Sequence, residues 1–272
     1  MKIKDHFLTQ ETFEIVETGT KGVFRTKPVP EDLSRYYEST DYISHHQDSG
    51  SLKEKLYKVL QRFNLNYKRN ILAQEVNKNA KVLDYGCGAG EFLKFIEDDF
   101  NTVGFEPNES ARSFAADKIG KASIVNDIHT LEDKSLDAIT LWHVFEHIDN
   151  QEDMLKYFHN KLNNNGLLII AVPNPTSDDA RRYGEYWAAY DVPRHVYHFT
   201  KAGMENLMNN DKWKIKKIKP LLLDSFYISM LSEKYKKSPA FCIRGMIFGA
   251  ISNFKAIKNG EFSSLIYIIE KK

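Results

Sequence analysis

Asp84 stands two residues before Gly86, and Gly88 and Gly90 follow at the same spacing, with Cys87 inside the run. Val82-Leu83 ahead of this cluster has the apolar character of a buried parallel strand. Glu91-Phe92-Leu93-Lys94-Phe95-Ile96 behind it opens an amphipathic helix. Strand, glycine loop and helix bring backbone N–H groups against the polar part of a ligand. Glycine accepts positive φ and puts no Cβ in the way. A dinucleotide loop needs G-x-G-x-x-G, and counted from Gly86 its third glycine falls where Glu91 stands. A second acid, Glu106, closes the next apolar run, Thr102-Val103-Gly104-Phe105. That is about 20 residues beyond Asp84, where a carboxylate accepts hydrogen bonds from both ribose hydroxyls of a nucleoside.

Further candidates lie at later run ends. Asp127 follows Ser123-Ile124-Val125, placed either to accept from an adenine amino group or to cap the turn at Ile128-His129. Trp142 and His143 end Leu136-Asp137-Ala138-Ile139-Thr140-Leu141, and Glu146-His147 follow. The stretch 181–200 holds Trp187, Asp191, Arg194, His195 and His198, groups able to donate, accept or stack. Its bland reading is a buried polar network in which Arg194 pairs with Asp191 and the histidines satisfy backbone carbonyls.

The pattern Asp84-x-Gly86-x-Gly88-x-Gly90 resembles the first motif of the class I S-adenosylmethionine-dependent methyltransferases. Asp137 through Phe145-Glu146-His147 resembles a signature of the family's small-molecule branch. Trp187 and Asp191-Val192-Pro193-Arg194-His195 through His198-Phe199-Thr200 resembles a stretch found in a bacterial branch. The resemblance covers five consecutive strand ends. It implies S-adenosylmethionine as cofactor, held by Asp84, Gly86, Cys87, Gly88, Gly90 and Phe92 at the loop. Glu106, Pro107 and Asn108 would follow at the second strand, and Asp127, Ile128, Trp142 and His143 beyond it. Tyr37 and Tyr42 belong to a tyrosine- and histidine-rich segment that would cover the cofactor. For an acceptor hydroxyl the resemblance points to His195 as base, since an unperturbed histidine titrates near pH ~6.5. Asp191 would orient its ring, Arg194 would hold an anionic group of the acceptor, and His143 is the competing base. The expected reaction is methyl transfer to a small molecule, sugar or lipid-type acceptor, with oxygen as the methylated atom. A nicotinamide oxidoreductase and a non-catalytic nucleoside-cofactor module are the rivals.

The elements that must position these groups alternate. Strands are predicted at 82–84, 102–106, 123–125, 136–142 and 167–172, with helices between them, including 151–162 ended by Gly166 in an αL cap. Alternation of this kind gives right-handed crossovers and a parallel sheet. The prediction is an α/β Rossmann-like fold: a seven-stranded, mostly parallel sheet with helices on both faces and an antiparallel last strand. Residues 213–216 and 263–269 would be its last two strands. Residues 1–50 read as an N-terminal lid, with a strand pair at 12–17 and 22–26, and 51–272 as the main domain. Residues 220–262 would form an inserted cap over an apolar acceptor, carrying apolar positions from Phe241 to Ile251; a helical hairpin on the sheet edge and a surface touching membrane-bound substrate are the alternatives.

Composition sets the remaining bounds. The chain has 272 residues, 42% of them hydrophobic, and a formal charge of +1, which provides no overall field for nucleic acid. Two cysteines far apart predict neither a disulfide framework nor a metal site. No apolar run approaches membrane-spanning length, and the first residues lack a signal-peptide core. A cytoplasmic protein without stable membrane insertion is expected.

Overall fold

The computed structural model describes residues 1–37 and 52–272, the side chains of 52–57 excepted. Two sheets organise the chain. The larger contains β4 (Lys81–Tyr85), β5 (Asn101–Phe105), β6 (Ser123–Val125), β7 (Leu136–Trp142), β8 (Leu162–Pro173), β10 (Trp213–Pro220) and β11 (Ser264–Lys271). Its order is β10-β11-β8-β7-β4-β5-β6. β11 runs antiparallel to both of its neighbours, and the pairs from β8 to β6 are parallel. This is the predicted sheet, with its antiparallel last strand.

Alternation along the strands divides the core between two faces. Leu83, Ile139, Leu141, Leu168, Ile170 and Val172 pack on one side with Phe158 of α4 (Gln151–Lys161) and Met204 and Met208 of α6 (Lys201–Met208). Val82, Ala138, Leu167, Ile169 and Ala171 pack on the other with Ile71 and Leu72 of α1 (Leu52–Glu75) and Phe92 and Ile96 of α2 (Glu91–Ile96). Each fully buried aliphatic or aromatic side chain contributes roughly 1.5–3 kcal/mol. The capping side chains sit where the helices start: Asn108 at α3 (Glu109–Lys118), Asn150 at α4 and Thr200 at α6. Gly166 does not cap α4. It lies inside β8, which begins directly at Leu162, and it is absent from the left-handed region. The Asn163 side chain donates to Asp137 at 2.5 Å and ties this stretch to the start of β7.

The smaller sheet comprises β1 (Lys2–Lys4), β2 (Thr12–Glu17), β3 (Val23–Lys27) and β9 (Tyr197–Phe199), all antiparallel. The N-terminal strand pair therefore does not stand alone. It takes a fourth strand from the segment after the fifth strand of the main sheet, pairing Phe24 with His198. Ile3, Phe13, Ile15 and Tyr36 share a core cluster with Tyr183, Trp187 and Tyr190.

Between β10 and β11 lie α7 (Asp224–Tyr235) and α8 (Phe241–Asn259). Gly245 and Gly249 let α8 approach α7 closely; a Cβ at Gly249 would lie 2.7 Å from the Phe226 Cα. The opposite face of α8 carries Ile243, Met246, Ile247 and Phe254, all exposed. The small residues of this helix thus face inward and the large ones outward. No helix among the described residues is long and apolar enough to cross a membrane.

Candidate active site

Three glycines turn the chain from β4 into α2. Gly86, Gly88 and Gly90 have φ of +74°, +54° and +76°. A Cβ at Gly86 would meet Val144 at 2.6 Å and one at Gly90 would meet Ala115 at 2.9 Å, whereas at Gly88 nothing lies within 4 Å. The middle of the loop thus borders open space. Glu106, just past β5, is 9% exposed and locks the loop from below. Its two oxygens accept from the Gly88 and Asn108 backbone N–H groups, each at 2.9 Å. A carboxylate has about four lone-pair sites, so Glu106 retains capacity for further donors. Pro107 and Asn108 lead into α3, where the Asn108 side chain accepts from the Ala111 N–H.

Asp84 is buried and accepts from the Thr140 hydroxyl at 2.7 Å. Burial pushes its carboxyl up to about 7, and the Thr140 bond and the Lys68 charge offset only part of this. Lys68, on α1, was not singled out by the sequence. Its ammonium lies 4.8 Å from the Trp142 ring centre and forms no ion pair within 4 Å among the described residues. Burial lowers its pKa, against the pull of Asp224 and Asp84. The buried Trp142 Nε1 has no hydrogen-bond partner among the described residues. Two predicted cofactor contacts belong to the core instead. Phe92 is buried edge-on against Trp142. The Cys87 thiol is buried too, which with the charges of Asp84 and Glu106 raises it to about 12. Asp127 is exposed and caps the 128–130 turn, accepting from the His129 N–H at 2.8 Å, and Ile128 is buried behind it.

The residues after β7 form a charged cluster. His143 has φ +59°, an uncommon pose for a residue with a Cβ. Its Nε2 is 2.8 Å from Asp224 at the start of α7, and its Nδ1 is 3.3 Å from Glu146. Burial works to lower its pKa, but the Asp224 and Glu146 carboxylates outweigh that and hold His143 up at about 10. So held, the His143 ring keeps its proton at neutral pH between the Asp224 and Glu146 carboxylates. Glu146 is buried, yet its bond with His143 and the nearby histidines bring it down to about 2.

His195 is 9% exposed, and its Nδ1 lies 3.0 Å from the Ala189 carbonyl. Burial first, then the neighbouring His147, lowers it to about 4, well below the 6.5 expected of a free ring. It is neutral at pH 7 with its lone pair on Nε2. Asp191 does not orient this ring by a hydrogen bond: its nearest oxygen is 4.0 Å from Nε2, and both its oxygens accept from Arg194. Arg194 in turn is 3% exposed. Its guanidinium donates to Asp191, to Asp5 at 2.9 Å and to the Tyr36 carbonyl at 3.0 Å. Four of its five N–H groups are thus engaged within the protein, and the pairing with Asp191 is that of the bland reading. His198 Nε2 is 2.9 Å from the Thr26 hydroxyl of β3, and Thr26 donates to the His195 carbonyl at 2.7 Å. The Tyr37 hydroxyl lies 3.2 Å from His147 Nδ1. Tyr42 lies outside the described residues. Apart from this site, a cavity of about 920 Å³ lined by Glu17, Arg25, Asp149 and Trp213 touches none of the glycine-loop residues.

A methyltransferase-domain family model matches residues 54–215. The chain belongs to that family. A protein of Alkaliphilus oremlandii described as an uncharacterised methyltransferase is 29% identical over 130 residues, covering 46% of this chain and 60% of the relative. The chain spans little more than half the length of the curated relatives it matches, 56% to 60%. Two solved structures share the fold. The cyclopropane synthase MmaA2 of Mycobacterium tuberculosis has a TM-score of 0.51 at 15% identity, covering 75% of this chain and 83% of that one. The geranyl diphosphate C-methyltransferase of Streptomyces coelicolor A3(2), solved with S-adenosyl-L-homocysteine, has a TM-score of 0.50 at 12% identity, covering 76% of each chain.

Proposed function

We propose that the chain transfers a methyl group from S-adenosylmethionine to the oxygen of a small-molecule, sugar or lipid-type acceptor. The observation that carries this reading is the Gly88 loop, open where a Cβ would stand and tied to Glu106 beneath it. Family membership and the S-adenosyl-L-homocysteine held by the Streptomyces fold relative support the cofactor.

The residues present fit that cofactor. Lys68 offers an ammonium that pairs with no carboxylate among the described residues, and the buried Asp84 offers a carboxyl group beside it. Glu106 offers its remaining lone pairs to the ribose hydroxyls. Asp127 stands at the end of β6 for the base. The cofactor supplies an activated methyl on a sulfonium sulfur, so the protein's work is alignment and exclusion of water. On the acceptor side His195 presents the neutral nitrogen that receives a hydroxyl proton in the metal-free chain. The 220–262 insertion caps this side, with Asp224 reaching His143 from its first helix. Residues 1–50 act as the lid.

Titration calorimetry tests the reading: S-adenosylmethionine or S-adenosylhomocysteine binds, and nicotinamide dinucleotides do not. Binding of a nicotinamide dinucleotide alone overturns it. Glu106→Ala lowers cofactor affinity by roughly 1.5–3 kcal/mol, about tenfold to 150-fold, as expected for hydrogen bonds to a charged group. Because Glu106 also accepts two backbone N–H groups, the same variant loses about 1–2 kcal/mol of stability in urea melts.

A further inference from the structure

Three groups able to ligate a metal ion meet beside the end of β7. One donor atom each from Glu146, His147 and His195 lie within 4.8 Å of one another. Glu146 is 1% exposed, and its Oε2 has no hydrogen-bond partner among the described residues, a costly state for a buried carboxylate. Its other oxygen, Oε1, is 3.3 Å from the His143 ring and 4.0 Å from His195 Nε2. His147 Nδ1 is 2.8 Å from the Arg194 carbonyl, and His195 Nδ1 is 3.0 Å from the Ala189 carbonyl. A carbonyl only accepts, so both rings carry the hydrogen on Nδ1 and keep the lone pair on Nε2. Backbone carbonyls orient metal-binding imidazoles in the same way.

All three groups thus offer lone pairs. A single water brings two hydrogens and leaves one lone pair unmatched, whereas a cation matches all three. Two imidazoles and a carboxylate without a thiolate suit zinc, iron, cobalt or manganese, and three protein ligands leave a coordination position open.

We propose that Glu146, His147 and His195 bind a divalent first-row transition-metal ion, of which Zn²⁺ is the representative, with an open position for an oxygen ligand. Metal–ligand distances of about 2.0–2.2 Å bring tetrahedral donors to roughly 3.4 Å apart, so the three side chains close inward by about an ångström. The ion takes the His195 lone pair that otherwise receives a proton. This inference goes beyond methyl transfer and does not depend on it.

The test uses tag-free full-length protein, stripped with a chelator and then titrated with Zn²⁺ alone in a calorimeter. Co²⁺ serves in parallel as a visible-absorption probe. One equivalent binds per chain. His147→Ala and Glu146→Gln each weaken binding roughly 100-fold or more, beyond the 10–100-fold typical of residues that only orient ligands. His147 is partly exposed, so His147→Ala keeps the test decisive where Glu146→Gln does not fold, and far-UV circular dichroism checks both. Absence of stoichiometric Zn²⁺ binding, or binding undiminished in His147→Ala, overturns the proposal. Titration with S-adenosylmethionine in the same preparations keeps the cofactor reading separate.

Discussion

Arg194→Met lowers the free energy of unfolding by about 3–5 kcal/mol. The guanidinium holds two carboxylates, one of them Asp5, whose side chain is 0% exposed. Methionine fills similar space but leaves Asp5 buried without its charged partner. Asp5 keeps its acceptor role toward Phe7, Leu8 and Thr9 N–H groups, so the loss falls on the joint between the N-terminal segment and residues 188–195. Arg194→Lys does not restore it, because a single ammonium cannot reach Asp5, Asp191 and the Tyr36 carbonyl together. Urea melts of the three proteins measure this. A loss below about 1 kcal/mol, the range of exposed pairs, would contradict the structural role and return Arg194 to the acceptor's anion.

His195→Gln lowers turnover by about two to four orders of magnitude while cofactor affinity stays within a fewfold. The size of the effect is the same whether the Nε2 lone pair takes a proton or a metal ion. The metal titration separates those roles. The pH dependence carries the sharper expectation. The lone pair is lost as pH falls through the folded-state value, which burial sets at about 4. In metal-free protein kcat/KM therefore stays level from neutral pH down to about 5 and falls below that, and His195→Gln lacks this acid limb. A limb near pH ~6.5, the value of a solvated ring, would mean that the ring is open to water. Circular dichroism across the same range separates titration from unfolding.

The sheet and its strand ends were legible because they rest on local signals. Buried parallel strands read as short apolar runs, and the glycines, Glu106 and Asp127 stand at fixed offsets from them. What was not legible depends on pairs distant in sequence. Asp5 carries no mark that it meets Arg194, and nothing in Leu52–Glu75 separates Lys68 from the other lysines of that helix. His143 and His195 looked alike as bases. Only the placement of Asp224 beside one, and the burial of the other next to His147, drives their pKa values to opposite sides of neutrality. Gly166 was misread because a glycine after an amphipathic run is an equally good sign of a strand entry once Asn163 ties it to β7.

The contact between Thr26 and His198 spans 172 residues of chain. During synthesis, β1, β2 and β3 leave the ribosome as a three-stranded ribbon with an unpaired edge, and that edge waits until residue 199 has been made. The main sheet from β4 to β8 is complete in the interval. Closing so long a loop adds little to the equilibrium cost, since each doubling of length contributes only about 0.6 kcal/mol. Its weight falls on the rate, because distant pairings form late. Pulse-labelled hydrogen exchange during refolding would show the amides of 168–172 protected before those of 197–199. The chain thus assembles its nucleoside half first and its histidine half last, and until the second step β3 presents an open edge to any other strand within reach.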